Sequence, residues 1–160
     1  MTESELSDVS LALGRVPSGL FVLTARDGQR ETGMLVSWVQ QCSFEPPQIS
    51  VCVRQGRDVL AWLGDGAAFT LNVIGQGQKK FVSHFGKGFG LDEDAFVGVS
   101  LDRMPGEAPI LTDALAHLRC RVAGRIDAAD HCLLIAAVVG GRLQHAGEPH
   151  CHSRKSGLKY

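Results

Sequence analysis

The sequence lacks a charge excess of either sign: 16 Lys or Arg stand against 17 Asp or Glu, for a net charge of −1 over 160 residues. No overall field therefore draws the chain to nucleic acid, and its only local basic run, Arg154-Lys155 with Lys159, is short. Long hydrophobic runs are also missing. The longest, residues 132–139, falls far below the roughly 20 residues that a membrane-spanning helix needs. The first eight residues, Met-Thr-Glu-Ser-Glu-Leu-Ser-Asp, are acidic and polar, the opposite of a secretion signal. A cytoplasmic protein with neither membrane nor nucleic-acid partner is expected. Five cysteines are an odd number, lie mostly in apolar runs and include no pair at C-x-x-C spacing. Reduced core thiols fit this better than a disulfide framework or a redox pair.

Several familiar catalytic signatures are absent as well. Gly75-Gln-Gly77 and Gly86-Lys-Gly88-Phe-Gly90 are glycine-rich, but Lys80 and Leu91 stand where a dinucleotide-binding G-x-G-x-x-G needs its last glycine. There is no G-x-x-x-x-G-K-[ST] phosphate loop and no G-x-S-x-G nucleophile elbow. His145, His150, Cys151 and His152 are metal-capable but lack a second Cys/His pair, and Gly147, Glu148 and Pro149 read as an exposed turn. No metal is expected there; the histidines read as surface groups.

What is present is a β pattern on a scale that fits one domain over residues 1–160. Strands are expected at 19–25, 31–41, 48–54, 67–74, 115–126 and 131–141, with a hairpin turn at Asp27-Gly28. Leu6, Val9, Leu13 and Val16 recur at helical spacing before Pro17, so a short amphipathic helix should cap one end of the barrel. Two more short helices fit 58–63 and 78–85. Strands without βαβ alternation favour a closed barrel. The segment Gly33-Met-Leu-Val-Ser-Trp-Val-Gln-Gln-Cys-Ser-Phe-Glu-Pro-Pro47 combines strand character with two hydroxyls, Ser37 and Ser43, and a double-proline stop. It reads as a strand edge suited to a polar, planar ligand.

This segment resembles the flavin-binding strand and turn of the flavin reductase-like, FMN-binding split-barrel family. Three other pieces follow the family's order: Leu13-Gly-Arg-Val-Pro-Ser-Gly-Leu-Phe-Val-Leu-Thr24, Ala108-Pro-Ile-Leu-Thr-Asp-Ala-Leu-Ala-His-Leu-Arg-Cys120, and Asp130-His131. The closing His152-Ser-Arg-Lys-Ser-Gly-Leu-Lys-Tyr160 is similar to the end of the flavin reductase module of cyanobacterial flavodiiron proteins. The resemblance implies a mainly β fold, a six-stranded antiparallel split barrel with short flanking helices. It also implies a homodimer with flavin near the subunit interface.

The resemblance implies an NAD(P)H-dependent flavin reductase in which hydride passes from reduced nicotinamide to FMN, with FAD possible. A separate flavodiiron protein or monooxygenase would receive the electrons. The alternative is a non-enzymatic FMN-binding electron-transfer protein. Carried over by motif, Met34, Leu35, Val36, Ser37, Trp38 and Val39 line the flavin ring, Cys42 and Ser43 fall near the ribityl phosphate, and Arg57 meets the phosphate. His84, Phe85 and Lys87 add an aromatic ring and a cation. His131 stands over the nicotinamide face as the catalytic residue, with Tyr160 stacking there. Two positions depart from the family pattern: Leu35 stands where Thr is common, and Ala129 where Gly is usual.

Overall fold

The computed structural model describes residues 1–159; Tyr160, expected at the nicotinamide, lies outside the described residues. The chain opens with helix α1 (Glu3–Gly14). Thr2 and Glu5 cap it reciprocally: Thr2 Oγ1 accepts from the Glu5 N–H at 3.2 Å, and Glu5 Oε2 accepts from the Thr2 N–H at 2.7 Å. Its apolar stripe does not close a barrel end as expected, because Leu6, Val9, Leu11 and Leu13 are exposed and only Gly14 is buried. The helix holds the C-terminal tail instead. Gly157 lies against Leu13 with no room for a Cβ, the Gly157 N–H donates to the Ser10 carbonyl at 2.7 Å, and the Arg154 N–H donates to the Gly14 carbonyl at 3.0 Å.

There follow β1 (Ser18–Gly19), β2 (Phe21–Asp27), β3 (Arg30–Val36), β4 (Val39–Phe44), β5 (Pro47–Arg54), a 3-10 turn (Asp58–Trp62), β6 (Ala68–Val73) and α2 (Lys79–Phe85). The chain then forms β7 (Leu101–Asp102), β8 (Ile110–Leu111), β9 (Ala116–Ala128), β10 (His131–Leu143) and β11 (Cys151–His152). Seven strands make one antiparallel sheet in the order β3-β2-β6-β9-β10-β5-β4, while β1 pairs with β11 and β7 with β8. The expected strand at 31–41 is thus two strands, and it accounts for seven strands rather than six. Its halves end up at opposite edges of the sheet, so the hydrogen-bonded order is open rather than a closed ring. The break falls at Ser37-Trp38. The Val39 N–H donates back to the Ser37 carbonyl at 3.1 Å, and the Trp38 carbonyl accepts from the Cys52 N–H at 2.9 Å, which switches the chain from β2 to β5.

Pro46-Pro47 does not stop the ladder. Pro47 is the first residue of β5, opposite Phe44, a position where a missing N–H is tolerated. Strand alternation then sorts the residues into two layers. Inside the curved sheet, Leu23, Val36, Ile49, Val51, Val53, Phe69, Leu71, Val122 and Leu134 share one core. On the outer face, Leu20, Val22, Ile74, Phe81, Phe85, Phe96 and Leu111 form a second.

Three buried polar side chains bind the segment around β8 to that outer face. Thr24 donates to the Pro109 carbonyl, Thr70 donates to the Ala108 carbonyl at 3.1 Å, and Asn72 Oδ1 accepts from the Leu111 N–H at 2.9 Å. Each such bond stabilises by about 1 kcal/mol, and leaving its buried partner unpaired would cost more. Gly33 is the point of closest approach between β3 and this layer: a Cβ there would stand 2.8 Å from Phe85 and 3.2 Å from Phe96. Gly33→Val should therefore destabilise the protein by about 1–3 kcal/mol through overpacking, read as a lower midpoint in urea. An unchanged midpoint would mean that the Phe85–Phe96 pair yields freely.

Candidate functional site

Between the outer face of β3 and β5, the C-terminal end of α2 and the tail lies a cavity of about 500 Å³. The break at Ser37-Trp38 forms one wall, where the chain passes from the ladder with β2 to the ladder with β5. Met34, Leu35 and Val36 lead into the break and line the cavity with Ser37 and Trp38. From β5, Cys52, Val53 and Arg54 contribute; Val53 also belongs to the inner core with Ile49 and Val51, so the cavity reaches the edge of that core. Burial raises the Cys52 thiol above its ordinary value, with Cys132 adding to the effect, so Cys52 presents a neutral thiol at neutral pH.

The cavity is cationic. Arg54, Arg57 and Arg154 all line it, with His150 and His152, and no Asp or Glu does. Arg57 stands at the start of the 3-10 turn with extended backbone, its Nη1 beside Gly88. Arg154 lies over the indole of Trp38, its guanidinium carbon 4.9 Å from the ring centroid. His150 is fixed through its backbone, donating to the Ile74 carbonyl at 2.8 Å and accepting from the Leu20 N–H at 3.2 Å. Its ring Nδ1 is buried without a hydrogen-bond partner among the described residues, the mark of a polar atom awaiting a ligand or water.

His131 sits behind this wall. It is 6% exposed and does not line the cavity, but its ring stacks on Trp38 at 4.6 Å between centroids, tilted by 33°. Its Nδ1 donates to the Asp130 carboxylate at 2.8 Å, and this bond, chiefly, holds the Asp130 carboxyl below its ordinary range. Asp130, His131, Trp38 and Arg154 thus form one continuous stack that ends at the cavity.

Other expected residues fall elsewhere. Val39 lines a smaller recess beside the cavity, while Cys42 is exposed and Ser43 half-buried on the edge strand β4, both outside the lining. The bulge between Gln41 and Ser43 turns that stretch away. His84, Phe85 and Lys87 serve α2 and its following loop. The His84 ring bonds the Ala95 carbonyl at 2.9 Å, Phe85 is buried against Gly33, and the Lys87 ammonium lies 5.0 Å from the Phe89 ring centroid. From this region Val82 and Gly86 line the cavity instead.

The tail side chains His150, His152 and Arg154 were not expected at the site. The histidines carried a signal as a cluster, but a surface turn seemed enough to hold them; pairing of β11 with β1 folds them inward. Among the described residues, no group of three or more metal-capable side chains stands close enough to hold a metal ion. No helix there is long and apolar enough to cross a membrane.

A mainly β, flavin reductase-like fold with a cationic cavity at a strand break defines the class. The chain belongs to the flavin reductase-like domain family, whose model matches residues 13–158. It is 39% identical over 156 residues to diflavin flavoprotein A 1 of Synechocystis sp., covering 96% of this chain and 27% of that protein. The chain therefore spans about a quarter of that relative's length. Among solved structures it is similar to the NADH:FAD oxidoreductase of Streptomyces globisporus, at 26% identity and TM-score 0.81, covering 89% of this chain and 85% of that one. The styrene monooxygenase flavin reductase of Pseudomonas putida is similar at 25% identity and TM-score 0.75, covering 89% and 90%.

Ala129 gives the departure from the family pattern a physical meaning. It occupies the turn between β9 and β10 with φ of +52°, a left-handed conformation that penalises any Cβ by about 1–2 kcal/mol. Glycine relieves that strain but adds about 0.5–1 kcal/mol of unfolded-state entropy. Ala129→Gly should thus stabilise the fold by about 0.5–1 kcal/mol in chemical denaturation, with the His131–Trp38 stack retained in the near-ultraviolet dichroism. Destabilisation would mean that the Ala129 methyl makes contacts that outweigh the strain.

Proposed function

We propose that the protein is an NAD(P)H:flavin oxidoreductase that binds FMN in the cavity beside Trp38. The observation that carries this is the cavity itself: an apolar wall from Leu20 to Trp38, the Ser37 hydroxyl at a strand break, and arginines with no lining carboxylate. A flavin mononucleotide asks for those three features together, a flat ring needing apolar contact, polar edges needing backbone or hydroxyl partners, and a phosphate of about two negative charges. Membership of the flavin reductase-like domain family supports the same reading, as do similar proteins whose names give a flavin reductase and an NADH:FAD oxidoreductase.

With both nucleotides bound, the flavin would supply the two-electron acceptor for the hydride that a reduced nicotinamide donates, with one proton drawn from solvent. The chain's own residues hold and shield. Met34, Leu35 and Trp38 exclude water from the ring, Ser37 and adjacent backbone bond its polar edge, and Arg57 takes the phosphate. His131 acts by positioning: buried and bonded to Asp130, it fixes the indole that faces the ligand. No acid–base dyad is required, because proximity and orientation provide the larger share of such a rate.

We read β3 and β4 as one strand of a six-stranded split barrel, broken at the ligand. A second copy of the chain would cover the exposed edge of β4 and complete a homodimer. The electron acceptor would be a flavodiiron protein or a monooxygenase, the second in keeping with the name of the styrene monooxygenase flavin reductase.

The test is aerobic oxidation of NADH and of NADPH by the purified protein with FMN added; no oxidation of either above the protein-free rate would overturn the reading. Within it, Arg57→Ala should weaken FMN binding by roughly ten- to a hundredfold, since a charge-assisted bond is worth about 1.5–3 kcal/mol. Riboflavin, which lacks the phosphate, should bind wild type and variant alike. Equal losses for both ligands would place Arg57 away from the phosphate.

A further inference from the structure

The main cavity is not the only one that Trp38 and Arg154 border. A recess of about 220 Å³ lies on their other side, lined by Val16, Pro17, Ser18, Val39, Gln40 and Ser50. Ser37, Trp38, Cys52 and Arg154 line both spaces, so these four side chains form a shared partition. Arg57 lines only the larger one. The partition therefore carries a cation of its own, facing a second space that mixes apolar side chains with hydroxyls and an amide.

Among the described residues Arg154 has no carboxylate partner within ion-pair distance, and its charge rests on the face of Trp38. Such a contact stabilises by about 0.5–1 kcal/mol where exposed and ~2 kcal/mol where desolvated; for the half-buried Arg154 it falls between, towards the lower end of the ~1.5–3 kcal/mol of a charge-assisted bond to phosphate. A phosphate arriving at the partition would therefore win the guanidinium from the indole. Its backbone is held meanwhile: the Arg154 N–H bonds the Gly14 carbonyl, Ser156 Oγ stands 2.7 Å from Ser10 Oγ, and β11 is paired with β1.

Resting on the reading above, we propose that Arg154 recognises the phosphates of the nicotinamide nucleotide, which enters through the recess, while Arg57 serves the flavin phosphate. Two nucleotides would then be told apart by two arginines on different walls. Arg154 is a specificity-determining residue for the electron donor: by leaving the face of Trp38 to meet the donor's phosphate, it also uncovers an aromatic surface beside the flavin.

The experiment compares wild type with Arg154→Gln, which keeps a planar side chain and removes the charge, using three donors: NADH, reduced nicotinamide mononucleotide, and the phosphate-free N-benzyl-1,4-dihydronicotinamide. KM for NADH should rise about tenfold with kcat within about twofold, because uniform binding is lost while the reacting rings are unchanged. The phosphate-free donor should show the same kcat/KM in both proteins, and the FMN dissociation constant should stay within about twofold. An equal fall with all three donors would reassign Arg154 to a structural hold on Trp38, and a matching loss of FMN affinity would assign it to the flavin phosphate; either overturns the proposal. Calorimetric titration of NAD⁺ into both proteins decides the point without turnover: weaker binding to Arg154→Gln supports it and equal binding overturns it. Should wild type fail to oxidise either nucleotide, the function assignment falls, and this titration still tests Arg154 by itself.

Discussion

The structure depends on one backbone constraint: within Ser37 and Trp38 the chain must leave the ladder with β2 and enter the ladder with β5. Two residues are too few for a loop and too many for a regular strand. The carbonyl of Trp38 accepts from the Cys52 N–H, that of Ser37 accepts from the Val39 N–H, and both residues line the cavity. The site is thus the consequence of the sheet meeting itself, since a continuous strand here would hold both residues in one regular ladder. Residues on both sides of the break are fixed by long ladders, which makes the irregular pair between them rigid.

Around this break the protein distributes polarity unevenly. The inner core is apolar, and the burial that raises the Cys120 thiol to about 12 is typical of it. The outer layer admits polar groups only where they are answered, as Thr24, Thr70 and Asn72 are by the segment around β8. The cavity is where this rule lapses, with arginines that face no lining carboxylate and a histidine nitrogen that finds no hydrogen-bond partner among the described residues. Desolvating such groups is unfavourable unless a ligand compensates, so the lapse itself points to an anion.

Much of this was legible in the residues. The six expected strands stand close to where alternation put them, because half-buried antiparallel strands write their period directly into sequence. The resemblance carried Met34 to Trp38 and Arg57 to the cavity, for these are local to one strand and one turn. What failed was non-local. The split at Ser37-Trp38 arises from β5, whose approach no periodicity in 31–41 reports. His84, Phe85 and Lys87 lie close in sequence to cavity residues, but helix geometry points them to other faces. The tail residues His150 and Arg154 reach the site only through pairing between β1 and β11, across nearly the whole chain. Short two-residue strands leave no pattern by which to find them.

That last pairing has a consequence for how tightly the site can hold anything. β1 and β11 share only two residue pairs, Ser18 with His152 and Gly19 with Cys151, whereas β9 and β10 are joined along most of their length. Regions tied by few backbone bonds open at far lower free energy than the ladders they adjoin. One wall of the cavity therefore belongs to a segment held by short pairings and single bonds rather than by a long ladder. Any affinity measured for a ligand of this site is the intrinsic affinity scaled by the fraction of molecules whose tail is docked, and a bound ligand returns the favour by holding the tail in place.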